Sequence, residues 1–219
     1  MEFYHVLNRG VDKRAIVTDD GDRMRFVRSL YLFNDSRPAP NAVSQRTAAS
    51  DLGRKRDCLV KIHAWCLMDN HYHLLLSPVD DDLTKLSLYI KKLNGGYAKF
   101  FNDKHNRTGY LWQGKTKKIR VERDSHFLHI PYYIHMNPLD HSLKEWREGR
   151  LKDINTAVQY LDNYRWSSWQ DYTGVKNFPS VIYNDMLSGM LKTKEAQVEV
   201  VRSIGQDGSI ASRSNTIET

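Results

Sequence analysis

The sequence predicts an α+β fold in which an antiparallel sheet carries helices packed on one face. Three observations lead there. Short apolar and aromatic runs alternate with segments of helical periodicity. Two apolar runs, 59–68 and 72–76, are separated by Asp69-Asn70 as the arms of a hairpin would be. A long amphipathic segment follows them. At 219 residues, 40% of them apolar and 27% charged, the chain makes one or at most two compact domains. No stretch approaches the roughly 18 apolar residues of a membrane span, and M-E-F-Y-H-V-L-N-R-G lacks the pattern of a secretory signal, so a cytoplasmic protein without a membrane partner is expected. Cys58 and Cys66 lack the paired spacing of a zinc site and read as reduced, packed thiols.

The elements follow in order. Phe3 to Leu7 read as a strand running into a turn at Asn8-Arg9-Gly10. Met24, Phe26, Val27, Leu30, Tyr31 and Phe33 are spaced by helical steps, so a helix runs from Asp20 to about Asn34. Residues 35–57 hold two prolines, no aromatic and no sustained period, the composition of a mobile insertion. In the hairpin, the run Leu74-Leu75-Leu76 marks a central strand buried on both sides. Leu83, Leu86, Ile90, Leu93, Tyr97, Phe100 and Phe101 then form the stripe of a long helix with Asp82 at its N-cap. Tyr110 to Val121 read as a strand or an extended loop. Another helix begins near Asp124 or Ser125 and ends about Asn137, because Pro138 disfavours helical geometry in the residue before it. An aromatic cluster, Tyr160, Tyr164, Trp166, Trp169 and Tyr172, should pack back on the sheet. Residues 1–174 make one domain and 175–219 a C-terminal extension, with a tail from about 205 too poor in core-forming residues to fold.

Charge narrows the class of partner. The net formal charge is +7, but residues 85–123 hold eleven Lys and Arg against two acidic groups, +9 in that segment alone. A block of one sign among aromatic residues suits a polyanion, because neutralising phosphates releases counterions; a solvated basic helix face is the plainer reading.

His71-Tyr72-His73 is the sharpest local feature. On a strand, residues two apart share a side, so the imidazoles point together and Tyr72 points away. Such a pair is half of a metal site, or else two structural histidines. On the helix before Pro138, Tyr133 and Asn137 are four apart and share a face. Beside two imidazoles they offer a nucleophile and an oxygen ligand, and a His/His/Asn shell suits Mn²⁺ or Mg²⁺. Tyr133 is otherwise a core tyrosine.

Five blocks carry a family resemblance: Y-H-V-L-N-R-G, then H-A-W-C-L-M-D-N-H-Y-H-L-L-L-S-P, then L-N-G-G-Y-A-K-F-F-N-D-K-H-N-R-T-G-Y-L-W-Q-G-K, then Y-I-H-M-N-P-L, then Y-R-W-S-S-W-Q-D-Y-T-G. In this order they resemble the REP-associated tyrosine transposases, within the single-tyrosine branch of the HUH endonuclease superfamily, across most of residues 3–174. The resemblance implies a ferredoxin-like antiparallel sheet of four or five strands with the histidines on a central strand. It also implies His71 and His73 as metal ligands, Tyr133 as the nucleophile and Asn137 as the third ligand. The chain departs from the family at Asp69, where Pro is usual, at K-T-K-K after W-Q-G, at Tyr132, where Arg is frequent, and in the length of the 35–57 loop.

The resemblance implies a metal-dependent single-stranded DNA endonuclease and strand transferase that acts on hairpin-forming repeats through a 5′-phosphotyrosine, with Mg²⁺ or Mn²⁺ as cofactor. The partner is single-stranded or hairpin DNA, the protein a nucleoid-associated monomer or homodimer. Arg9, Lys91, Lys92, Arg107, Lys115, Lys117, Lys118 and Arg120 are the expected phosphate contacts. Trp112, with Tyr110 or Tyr72, is a stacking residue, although a core role suits these aromatics as well. His5 is a candidate for the wall of the site and His63 reads as structural. Two rivals are a domesticated DNA-binding protein without transposition and a phosphodiesterase that uses water in place of Tyr133.

Overall fold

The computed structural model describes residues 1–38, 56–121, 125–183 and 191–206; most of the insertion expected at 35–57 and nearly all of the tail from about 205 lie outside the described residues. Strand β1 (Phe3–Arg9), helix α1 (Asp20–Leu32), strands β2 (Val60–Leu67) and β3 (His71–Pro78), helix α2 (Leu83–Lys104) and strand β4 (Lys117–Val121) succeed one another. Helices α3 (Ser125–Met136), α4 (Ile154–Asn163), the short α5 (Trp169–Tyr172) and α6 (Lys194–Gly205) follow. The sheet has four strands in the order β2-β3-β1-β4, every neighbouring pair antiparallel. That is the ferredoxin-like arrangement expected, with β1 and β3 at its centre.

Local chemistry sets the boundaries. The Asp19 carboxylate accepts from the Asp22 amide at the head of α1, and Asp82 accepts from Thr84 at the head of α2, each satisfying a donor that the first helical turn leaves open. The hairpin closes through Met68 N–H to His71 O at 2.8 Å. Gly10 ends β1 where the chain doubles back so closely that a Cβ there would stand 2.3 Å from the Arg14 carbonyl oxygen.

Directly opposed residues of an antiparallel pair share a face. Leu7 lies opposite His73, and Arg9 opposite His71, so Phe3, His5, Leu7 and Arg9 share a face with His71, His73 and Leu75. Tyr4 and Val6 share the other with Leu74, Leu76 and, by alternation, Tyr72. This second face packs on α1 and α2 through Phe26, Leu30, Leu86, Tyr89, Leu93 and Tyr97. The first is covered by α3, α4 and α6, through Tyr133, Met136, Val158, Leu161, Val201 and Ile204.

Helices therefore cover both faces, not the single face that alternation of elements suggested. The buried Leu74-Leu75-Leu76 run requires it, since Leu74 and Leu76 enter one core and Leu75 the other. Helix α6, for which no sequence signal was read, supplies part of the second cover. In β2 a register shift between Ile62 and Ala64 inserts His63 as an extra residue. Val60 and Ile62 before it, and Trp65 and Leu67 after it, thereby all reach the α1/α2 side. The outer edge of β2 is closed by residues 166–183, through Leu67 N–H to Trp166 O and Tyr183 N–H to Ile62 O. The aromatic cluster thus packs back on the sheet, as expected.

Candidate active site

The site lies where β1 and β3 meet α3. His71 is nearly buried and His73 fully so, their ring centroids 4.9 Å apart. Burial away from water disfavours the imidazolium and pushes His71 down to about 3 and His73 well below the ordinary histidine value. Both rings are neutral at pH 7, the state in which imidazole binds a metal. Asn70 fixes one tautomer. Its Nδ2 donates to the Lys13 carbonyl, leaving Oδ1 to accept from His71 Nδ1 at 2.6 Å. His71 Nε2 is then a bare acceptor, buried and without a hydrogen-bond partner among the described residues. His73 Nδ1 shares a 2.9 Å hydrogen bond with Nε2 of His5, itself fully buried and pushed down to about 4 by desolvation. His5, a candidate for the wall, is thus in direct contact with the pair. His63 bonds Ser77 at 2.8 Å and lies against Phe3.

Sixty residues further along the chain, α3 brings Tyr133 across from these rings, its ring centroid 6.4 Å from His73 and 6.2 Å from His5, edge-on to both. Asn137 begins the 3-10 turn (Asn137–His141) that follows α3. Its Nδ2 donates to the carbonyls of Tyr133 and Ile134 at 3.0 and 3.3 Å, which fixes which way the amide faces. Both residues are fully buried.

A residue that sequence reasoning missed completes the group. Arg147, in the 3-10 segment Lys144–Glu148, donates from Nη1 to the Tyr133 hydroxyl at 2.7 Å and from Nη2 to Asn137 Oδ1 at 2.8 Å. Asp140 holds the guanidinium from its other side, accepting from Nε at 2.8 and 3.0 Å and from Nη2 at 2.6 Å, and also accepts from Trp146 Nε1. Trp146 lies against the Tyr133 ring at 5.6 Å. Asp140 and Arg147 sit in a polar connection without helical spacing, so no local signal marks them.

The donor set fits a divalent cation. Two neutral imidazoles lie side by side, one with an unpartnered buried nitrogen. Among the described residues no three His, Cys, Asp or Glu side chains gather as a metal site, and the buried Asn137 offers a carboxamide oxygen. A carboxamide oxygen has two lone pairs, and Arg147 occupies one of them.

The expected DNA contacts are scattered over several surfaces. Arg9 is partly exposed and opposite His71. Lys117, opposite Leu7, shares the face of the imidazoles. Lys118 and Arg120 lie opposite Val6 and Tyr4, on the α2 side, where Lys118 reaches Ser87 and Arg120 pairs with Glu2. Lys91 and Lys115 are exposed. Lys92 donates to the carbonyls of Asp35 and Arg37, and Arg107 to Asn102. Of the aromatics, Tyr72 is fully buried and bonded to Asn94. Trp112 packs on Tyr72 and Tyr97 and donates to the Asn94 carbonyl. Tyr110 is 88% exposed. Its loop is tied to the end of β1 by Gln113 N–H to Arg9 O and Val11 N–H to Leu111 O.

Fold and site together define a class: a basic protein with an antiparallel sheet that sets a phenol against a pair of neutral imidazoles, with an amide linked to the phenol through Arg147. Residues 41–137, which carry all four groups, match the family model described as IS200-like transposase. Over that stretch the chain is similar to those transposases, and the resemblance read from its motifs is borne out. Among solved structures it is similar to one described as a REP-associated tyrosine transposase bound to a REP hairpin, at 14% identity and a TM-score of 0.47, with 89% of each chain covered. No curated protein matches the chain. Among the described residues no helix is long and apolar enough to cross a membrane.

Proposed function

We propose that this protein is a transposase-like DNA-nicking and strand-joining enzyme that cuts single-stranded DNA, beside hairpin-forming repeats, through a covalent 5′-phosphotyrosine at Tyr133. One observation carries the reading: a phenol from α3 and a pair of neutral imidazoles from β3, far apart in sequence, converge on one buried point between sheet and helix.

His71, His73 and Asn137 would hold a divalent ion, Mg²⁺ or Mn²⁺, which when bound supplies a Lewis acid to neutralise charge on the phosphate. The chain's own residues do the rest. Asn70 and His5 fix the orientation of the imidazoles, and the two backbone carbonyls of α3 fix that of the Asn137 amide. The Tyr133 oxygen forms the new bond to phosphorus as the bond from phosphorus to the 3′ oxygen breaks. The phenol proton is lost, and the departing oxygen takes one up as a free 3′-OH. The phosphotyrosine ester conserves the energy of the bond it replaced, so a second 3′-OH can reverse the step and join new strands without ATP. Arg9, Lys117, Lys115 and the exposed ring of Tyr110 lie toward the imidazole end of the sheet, placed to follow the backbone and stack on a base.

The test is incubation with labelled single strands from the gene's own flanks and Mn²⁺ or Mg²⁺, followed by denaturing electrophoresis. An adduct is expected with the native chain and none with Tyr133→Phe, which should still bind DNA. An adduct in the variant refutes the nucleophile. Cleavage with no adduct favours the phosphodiesterase that uses water, and binding with neither favours the domesticated DNA-binding protein.

A further inference from the structure

Tyr133 and Asn137 are fully buried, and one cation caps the functional oxygen of both. Arg147 is the member of this group nearest solvent, its side chain 14% exposed. Its charge is also felt at the imidazoles, where it adds to the downward shift of His71 and His73. Asp140 pairs with it through three hydrogen bonds that orient the guanidinium plane. A divalent ion on His71, His73 and Asn137 would share the Asn137 oxygen with this guanidinium, two cations on one acceptor, and like charges at such range repel strongly in a dry site. A phosphate approaching the Tyr133 hydroxyl finds it already hydrogen-bonded to Arg147 Nη1.

We propose that Arg147, anchored by Asp140, is an autoinhibitory latch: it covers the nucleophile and occupies the third metal ligand, and it must swing out before the site takes up a divalent ion. The inference rests on the function proposed above and adds to it a closed resting state. In the open state Arg147, released from Tyr133 and Asn137 at the mouth of the site, is a fork of donors suited to a DNA phosphate. The device lies within one short segment. Asp140 and Arg147 sit on consecutive 3-10 turns, and Gly149, in the left-handed conformation that favours glycine, ends the second.

Mn²⁺ binding, followed by titration calorimetry and by the loss of the free-ion electron paramagnetic resonance signal, reads the latch without any DNA. Arg147→Met should bind Mn²⁺ about tenfold or more tightly than the native chain, because it removes a positive charge that shares an acceptor with the ion. Because that change also frees the Asp140 carboxylate, Arg147→Met with Asp140→Asn is measured beside it. The double variant should keep most of the gain, and a return to native affinity overturns the latch. So does Arg147→Met binding no tighter than native. If Arg147→Met does not fold, the native chain answers instead. Modification of Arg147 by phenylglyoxal, quantified by peptide mass, should speed up severalfold at saturating Mn²⁺, and an unchanged rate overturns the latch. His71→Ala separates the two ideas. Mn²⁺ bound by native chain and His71→Ala alike, or by neither of these nor by Arg147→Met, removes the metal site itself, whereas native binding lost in His71→Ala with no gain in the Arg147 variants removes the latch alone.

Discussion

Mild acid should unfold this protein, because its core encloses imidazoles that cannot be charged. His5 and His71 are pushed down to about 4 and about 3, His73 well below its usual value, and His135, bonded to Ser168 under Trp169 and Tyr172, to about 3, all chiefly by desolvation. A histidine whose folded pKa is depressed binds its proton in the unfolded chain first. Its share of stability is complete above the unfolded value near 6.5 and is lost as pH falls below it. Between pH 7.5 and 5.0 that loss is about 2 kcal/mol for each imidazole, and about 8 kcal/mol for four, as large as the whole stability of many domains. Asp35, held down to about 2 by its pairing with Arg37, stays ionised through this window. Asp171, raised by burial, works in the opposite direction as a single group. Urea unfolding followed by tryptophan fluorescence, with chelator present, measures the change. A loss below about 1 kcal/mol from pH 7.5 to 5.0 would mean that these rings accept protons in the folded state, and the argument for a pair of neutral ligands would fall with it.

Other expectations follow from the same geometry. His71→Ala and His73→Ala should each abolish metal-dependent adduct formation in the electrophoretic assay while circular dichroism shows the fold retained. Unchanged adduct in both variants and in chelator would remove the metal from the mechanism. Tyr110→Ala should leave stability within about 0.5 kcal/mol and weaken single-stranded DNA binding by about 1–3 kcal/mol, read by fluorescence anisotropy. Trp112→Ala, whose ring lies on Tyr72 and Tyr97, should instead cost stability, about 2–3 kcal/mol in urea. Equal DNA affinity for Tyr110→Ala and native chain would rule out stacking there. Gly10→Ala would place a methyl 2.3 Å from the Arg14 backbone oxygen and should destabilise by about 1–3 kcal/mol. A neutral outcome would show that the 10–14 turn can move.

Much of the frame was legible because its causes are local. The N-cap at Asp82, the start of α1 at Asp20 and the start of α3 at Ser125 follow from capping and periodicity over a few residues. The stop near Asn137 follows from Pro138, although the chain continues there as a 3-10 turn. The hairpin and the shared side of His71 and His73 follow from a period of two. Less legible were α6, masked by Glu, Lys and Gln around a thin apolar stripe of Val201 and Ile204, and the bulge at His63, which changes the facing of half a strand without altering its composition. The basic segment was legible as charge but not as a surface. Lys118 and Arg120 diverge from Lys117 because alternate residues leave a strand on opposite sides.

The sequence alone determined two pairs, His71 with His73 on one strand and Tyr133 with Asn137 on one helix, since each is set by a fixed spacing within its own element, and the resemblance implied that the pairs belong together. Only the packed structure decided how closely they meet, that His5 and Asn70 hold the imidazoles, and that Arg147 and Asp140 close over the phenol. Those contacts join segments with no common period, brought together by burial of the sheet against α3. A sequence records the propensities of each segment, whereas which side chain fills the space between two segments is settled by the shape they leave when packed.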